Sequence, residues 1–96
     1  DDQVRSFQDK VKTLLTATNL LILNTDLKVT GANNTAAHSF EKDRSELTGT
    51  AIYDLFPDFK SEPGEQVLKT LNGETFKVYV LVTPNDGENE YFVHWS

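Results

Sequence analysis

The chain has 96 residues, a length that fits one domain and excludes a two-domain enzyme with a cleft between its halves. Fifteen acids against nine bases leave a net charge of −6, which repels a phosphate backbone, so nucleic acid is not an expected partner. Without cysteine there is no disulfide, thiolate nucleophile, zinc-thiolate site or cysteinyl cofactor adduct. No stretch has the roughly 18 apolar residues of a membrane span, and Asp1-Asp2-Gln3 has no signal-peptide character. A cytoplasmic domain making no membrane contact, cut from a longer protein, is the expectation.

In chain order, Val4, Phe7, Val11, Leu14 and Leu15 recur on one helical stripe, which predicts an amphipathic helix over residues 1–18. That flanking segment is expected to pack on the rest of the protein or on a second copy of itself, giving a homodimer. The run Leu20 to Leu23, closed by Asn24-Thr25-Asp26 and resumed at Leu27 to Thr30, predicts a hairpin. Asn33 and Asn34 both suit the cap of a short helix through Ala36, Ala37 and Phe40. Ser45, with Asp43 nearby, suits the cap of a second turn that Gly49 ends.

Residues 52–59 suit single helical turns and loop, and Ser61-Glu62-Pro63-Gly64 a turn. Glu65 to Leu71 and Glu74 to Thr83 flank Asn72-Gly73, a pair that predicts a type I′ hairpin. Pro84 to Gly87 predicts another turn, and Tyr91 to Trp95 a last strand. Alternation places Phe76, Val78, Val80 and Val82 on one face of the sheet and Tyr91, Val93 and Trp95 on one face of the final strand. Both faces of this sheet are partly apolar, so both require cover. The fold class is therefore α+β: a five-stranded antiparallel sheet, short helices on one face and an N-terminal amphipathic helix.

Taken together, Leu20 to Asp26, Val29 to Asn34, Ala36-Ala37, Phe40, Glu46-Leu47-Thr48-Gly49 and Asp54-Leu55-Phe56-Pro57 resemble a PAS domain over about residues 19–96. Asn72 to Phe76 is similar to that family's turn between its third and fourth strands. The resemblance implies a sensory or signal-transmitting module of a larger protein such as a histidine kinase, a diguanylate cyclase or a chemoreceptor, with an output domain elsewhere in the chain. The family usually carries a longer helix before the third strand as one wall of its cofactor pocket. Here only Lys60 to Gly64 is available, so the pocket is expected to be small, open or closed by something else.

No enzymatic activity and no haem, flavin or metal is expected. His38 and His94 have no supporting haem motif and read as surface or packing residues, and Asp86 to Glu90 lacks the frame of a calcium loop. Flavin photochemistry through an adduct would require a cysteine. Any ligand is expected to be small and to meet Asn34, Tyr53 or Trp95. The alternative function is a dimerisation or protein-interaction module that binds no small molecule.

Overall fold

A computed structural model describes residues 18–96. The predicted helix over residues 1–18, with its stripe of Val4, Phe7, Val11, Leu14 and Leu15, lies outside the described residues apart from Thr18. The elements run β1 (Asn19–Leu23), β2 (Val29–Ala32), α1 (Asn34–Ser39), α2 (Arg44–Leu47), a 3-10 turn (Ile52–Asp54), β3 (Gly64–Lys69), β4 (Thr75–Asn85) and β5 (Glu88–Trp95). The five strands form one antiparallel sheet in the order β2-β1-β5-β4-β3. This is the α+β class expected from the order of elements.

The register explains the core. Pairing of Val80 with Val93, Val82 with Tyr91, Leu21 with Val93 and Leu23 with Tyr91 brings the apolar members of β1, β4 and β5 onto one face, since paired residues share a side. Over them lie Ala36, Ala37, Leu47, Ile52, Leu55, Phe56 and Phe59, all buried. The opposite face carries Leu20, Ile22, Leu81, Phe92, His94 and Tyr79; of these Leu20 and Phe92 are buried without belonging to that core. Both faces are thus apolar, as the alternation required.

Asn33, not Asn34, is the N-cap of α1: its Oδ1 accepts from Ala36 N at 2.9 Å. The helix ends in a Schellman motif, with Lys42 N donating to Ala37 O and Glu41 N to His38 O, both at 3.0 Å, and Glu41 at φ 56. Asp43, rather than Ser45, caps α2 in a capping box in which Asp43 N donates to Glu46 Oε1 at 3.1 Å. Gly49, at φ 89, ends that turn as expected, and its amide bonds Val29 O.

Two turns differ from the expectation. The loop between β3 and β4 holds five residues, 70–74, with Leu71 to Gly73 at its tip, and only Gly73 takes a positive φ, 87°. Gly73 N donates to Thr70 O and Thr70 N to Glu74 O, the pattern of a β-turn followed by a left-handed residue instead of a type I′ turn. The true two-residue turn is Asp86-Gly87, with φ 52 and 81, between the paired Asn85 and Glu88. Pro84 and Asn85 therefore extend β4, while β5 starts at Glu88 instead of Tyr91. The chain favours the Asp-Gly pair there because a two-residue loop needs both angles positive to follow the sheet twist.

Candidate functional site

The core-facing end of β5 carries the chain's single tryptophan. Trp95 is 1% exposed and packs edge-on against Phe56 at a ring separation of 5.5 Å and Phe40 at 5.8 Å, with Phe76 tilted at 6.0 Å. Four elements supply these rings: Phe40 caps α1, Phe56 follows the 3-10 turn, Phe76 opens β4 and Trp95 closes β5. Edge-to-face contact accounts for their geometry, since ring edges are positive and faces negative. One polar atom is enclosed by this cluster: Trp95 Nε1 has no hydrogen-bond partner among the described residues. A buried donor left unpaired costs about 1–3 kcal/mol, so the indole is the one place in the aromatic core where an acceptor would be favoured.

Polar side chains close the end of the core beside Trp95. Thr18 Oγ1 donates to Trp95 O, as does Asn19 Nδ2 at 3.0 Å. Asn33 lies between β1 and α1, accepting from Leu20 N at 3.1 Å and donating to Thr18 O at 2.6 Å. Ser39 Oγ donates to Asn19 Oδ1 at 2.7 Å. These bonds leave the main chain of the β1 start and the β5 end satisfied, so the unpaired indole is not a symptom of a loosely built corner.

The wall expected to be short is a loop. Residues 57–63 contain no helix, and they are fastened to β3 by side chains of the loop and the strand. Gln66 Nε2 donates to Lys60 O at 2.6 Å and to Glu62 O at 3.1 Å, while Lys60 N donates to Gln66 Oε1 at 3.0 Å. Asp58 accepts from Lys69 N through both carboxylate oxygens, at 3.2 and 3.3 Å. Phe59, held between these anchors, is buried and closes the core from that side.

The three residues expected to meet a ligand are not neighbours. Asn34 is exposed at the start of α1 and lines a surface groove. Tyr53 is exposed on the 3-10 turn, its ring 6.3 Å from Phe59. Trp95 alone sits in the core. His38 is exposed in the same groove as Asn34, and His94 lies on the opposite sheet face, stacked on Tyr79 at 5.4 Å with its pKa lowered by burial. Among the described residues no three His, Asp or Glu side chains gather as a metal would require, and no helix is long and apolar enough to cross a membrane. The groove was not legible in the sequence, because its lining residues are brought together by the turn at Glu41.

The sequence model of the PAS fold matches residues 16–95. Solved structures similar to this chain include the PAS domain of a two-component sensor histidine kinase, 12% identical with a TM-score of 0.68, covering 100% of this chain and 98% of that one. The PAS domain of nitrogen regulation protein NR(II) from Vibrio parahaemolyticus is 14% identical, with a TM-score of 0.66 over 88% of this chain and 94% of that one. A PAS domain from a LuxR-family transcriptional regulator of Burkholderia thailandensis, solved in complex with ethanol, is 18% identical with a TM-score of 0.60 over 86% and 93%. No curated protein matches the sequence significantly. With the model spanning nearly all described residues and the sheet order and short helices in agreement, the chain belongs to the PAS-fold family, whose members are generally non-catalytic sensory domains of signalling proteins.

Proposed function

We propose that this domain is the sensory or signal-transmitting module of a larger cytoplasmic signalling protein, a histidine kinase, diguanylate cyclase or chemoreceptor, and that its input is a small molecule held against Trp95. The unpaired indole N–H inside an aromatic cluster carries this reading. The rings packed on it are apolar, and among the described residues no cation stands with them to balance an anionic ligand, so the ligand is uncharged and presents one oxygen or nitrogen acceptor. The ethanol bound by the Burkholderia relative is a molecule of that chemistry, which supports the reading. Asn34 and Tyr53 stand too far out to share the contact in this conformation, and they enter only if ligand binding moves α1 or the 3-10 turn.

The signal travels through the sheet to the segment 1–18, whose stripe of Val4, Phe7, Val11, Leu14 and Leu15 covers the apolar outer face or pairs with its copy in a homodimer. A ligand shifts that arrangement only by its difference in affinity between two states. Because the chain has one tryptophan, it shows one indole N–H resonance. Titration with ethanol and acetone should shift that resonance saturably, together with the backbone amides of Phe40, Phe56 and Phe76, and those amides should stay in place in Trp95→Phe. An indole signal that stays in place across both compounds would refute the sensor reading. The alternative would then stand, a docking module that binds no small molecule and works through its outer face, where Tyr79 and Val67 are exposed.

A further inference from the structure

Outside the core, α1 and α2 enclose a groove of about 530 Å³ lined by Asn34, Ala37, His38, Lys42, Arg44 and Ser45, with Asp43 at its side. The Schellman turn builds it. By taking φ 56 at Glu41 the chain reverses direction, and the Lys42 amide bonds Ala37 O, which sets Lys42 beside the helix it has just left. Two cationic side chains, Lys42 and Arg44, and the imidazole of His38 consequently face one groove beside Asp43 in a protein of net charge −6.

These bases are uncommitted. The one ion pair among the described residues is Lys77 Nζ with Glu65 Oε1 at 2.8 Å, on β4 and β3, so neither Lys42 nor Arg44 is neutralised by a described carboxylate. Asp43 lines the same groove, and its amide donates to Glu46 Oε1 in the turn that opens α2, so the two cations outnumber the one acid there. In an acidic chain, free cations gathered at one concavity are available to an outside anion. Arg44 offers a planar fork of donors for two oxygens, Lys42 a point charge, His38 a further donor, and Ser45 and Asn34 hydrogen bonds to neighbouring hydroxyls.

We infer that the α1–α2 groove is a binding site for a phosphate group, separate from the aromatic core and independent of what that core binds. A phosphate suits it better than a carboxylate, because three donors from different directions match a tetrahedral anion of charge near two. The volume beyond one phosphate accommodates the rest of a small phosphomonoester. Both free phosphate and a phosphomonoester present the same oxygens, and the difference between them lies in contacts to Asn34 and Ser45.

The test is amide chemical-shift mapping of the 96-residue chain titrated with sodium phosphate, and separately with glycerol 3-phosphate, against sodium chloride at matched ionic strength. Saturable shifts confined to residues 34–47 are expected. Charge neutralisation by Lys42→Gln or Arg44→Gln should weaken binding about fivefold each, as loss of one exposed charge contact implies. Lys60→Gln should leave it unchanged. Tighter binding of the monoester, lost in Asn34→Ala, would identify the organic phosphate as the ligand, while equal binding would identify the free anion. Shifts that chloride reproduces, that spread over the whole surface, or that survive both charge variants would overturn the site.

Discussion

Asn33 is the residue on which the corner beside Trp95 most depends, and Asn33→Ala gives its contribution a number. The substitution removes an acceptor used by Leu20 N at 3.1 Å and Ala36 N at 2.9 Å, and a donor used by Thr18 O at 2.6 Å. Losing the helix cap costs about 1 kcal/mol. Leu20 is wholly buried and Thr18 nearly so, and stranding one buried amide and one carbonyl adds about 1 kcal/mol each at the lower end of the usual range. The sum, about 3 kcal/mol, is a large share of the stability of roughly 5–10 kcal/mol expected of so small a domain. It corresponds to a fall in Tm of about 15 °C by circular dichroism or calorimetry. Asn33→Asp separates the parts: it keeps Oδ1 for both amides but sets a charged oxygen against Thr18 O. That variant should keep the two amide bonds and lose the bond to Thr18 O, so its Tm read beside that of Asn33→Ala separates the two contributions. A loss in Asn33→Ala below about 4 °C would show that the β1–α1 corner is not held by this side chain.

Other variants probe the turns and the outer face. Glu41→Gly should raise Tm by a few degrees, because a left-handed residue other than glycine carries about 1 kcal/mol of strain and the Schellman position suits glycine; an unchanged or lower Tm would refute that. Gly73→Val should destabilise by about 2 kcal/mol although no atom stands within 4 Å of the added Cβ, since φ 87 is the obstacle; Gly73→Asn should recover most of the loss in urea denaturation. His94, lowered in pKa by burial, is favoured neutral in the folded state. Its contribution is therefore present above the unfolded-state value of about 6.5 and is lost as pH falls below it toward the lowered folded-state value, so stability should drop as pH falls below about 6.5, and His94→Gln should flatten that slope.

Much of the fold was legible because it follows from alternation. Val78, Val80, Val93 and Trp95 occupy the face their parity assigned, and the short helices cover it, since a half-apolar strand has few other options. Turn types were read less well. Both Asn72-Gly73 and Asp86-Gly87 suit a two-residue loop, and local sequence does not decide between them; the pairing of Lys69 with Thr75 and of Asn85 with Glu88 does, because it sets how many residues each loop must hold. The cap of α1 fell to Asn33 instead of its neighbour for a similar reason: only the earlier residue reaches both the helix and β1. Of the residues expected to meet a ligand, the burial of Trp95 follows from its place on the last strand, whereas Asn34 and Tyr53 are on short turns whose facing depends on a few dihedral angles that periodicity does not constrain.

The short segment before β3 limits what the core of this domain could admit. A helix wall satisfies its own backbone and moves as a body, but residues 57–63 have no such ladder: the Gln66 side chain bonds Lys60 N, Lys60 O and Glu62 O, and the Asp58 carboxylate in turn accepts from Lys69 N of β3. Both anchors bind the main chain across the gap between loop and strand, so displacing the loop breaks Asp58's bonds to Lys69 N and Gln66's bonds to Lys60 and Glu62 together. Phe59 is enclosed by the same arrangement and would leave the core with it. A large planar cofactor would have to push that wall outward. A small neutral molecule would need only a shift of the rings about Trp95, each held by edge contacts worth about 1 kcal/mol beyond their burial. The stapled loop thus disfavours any guest larger than the rings could yield to.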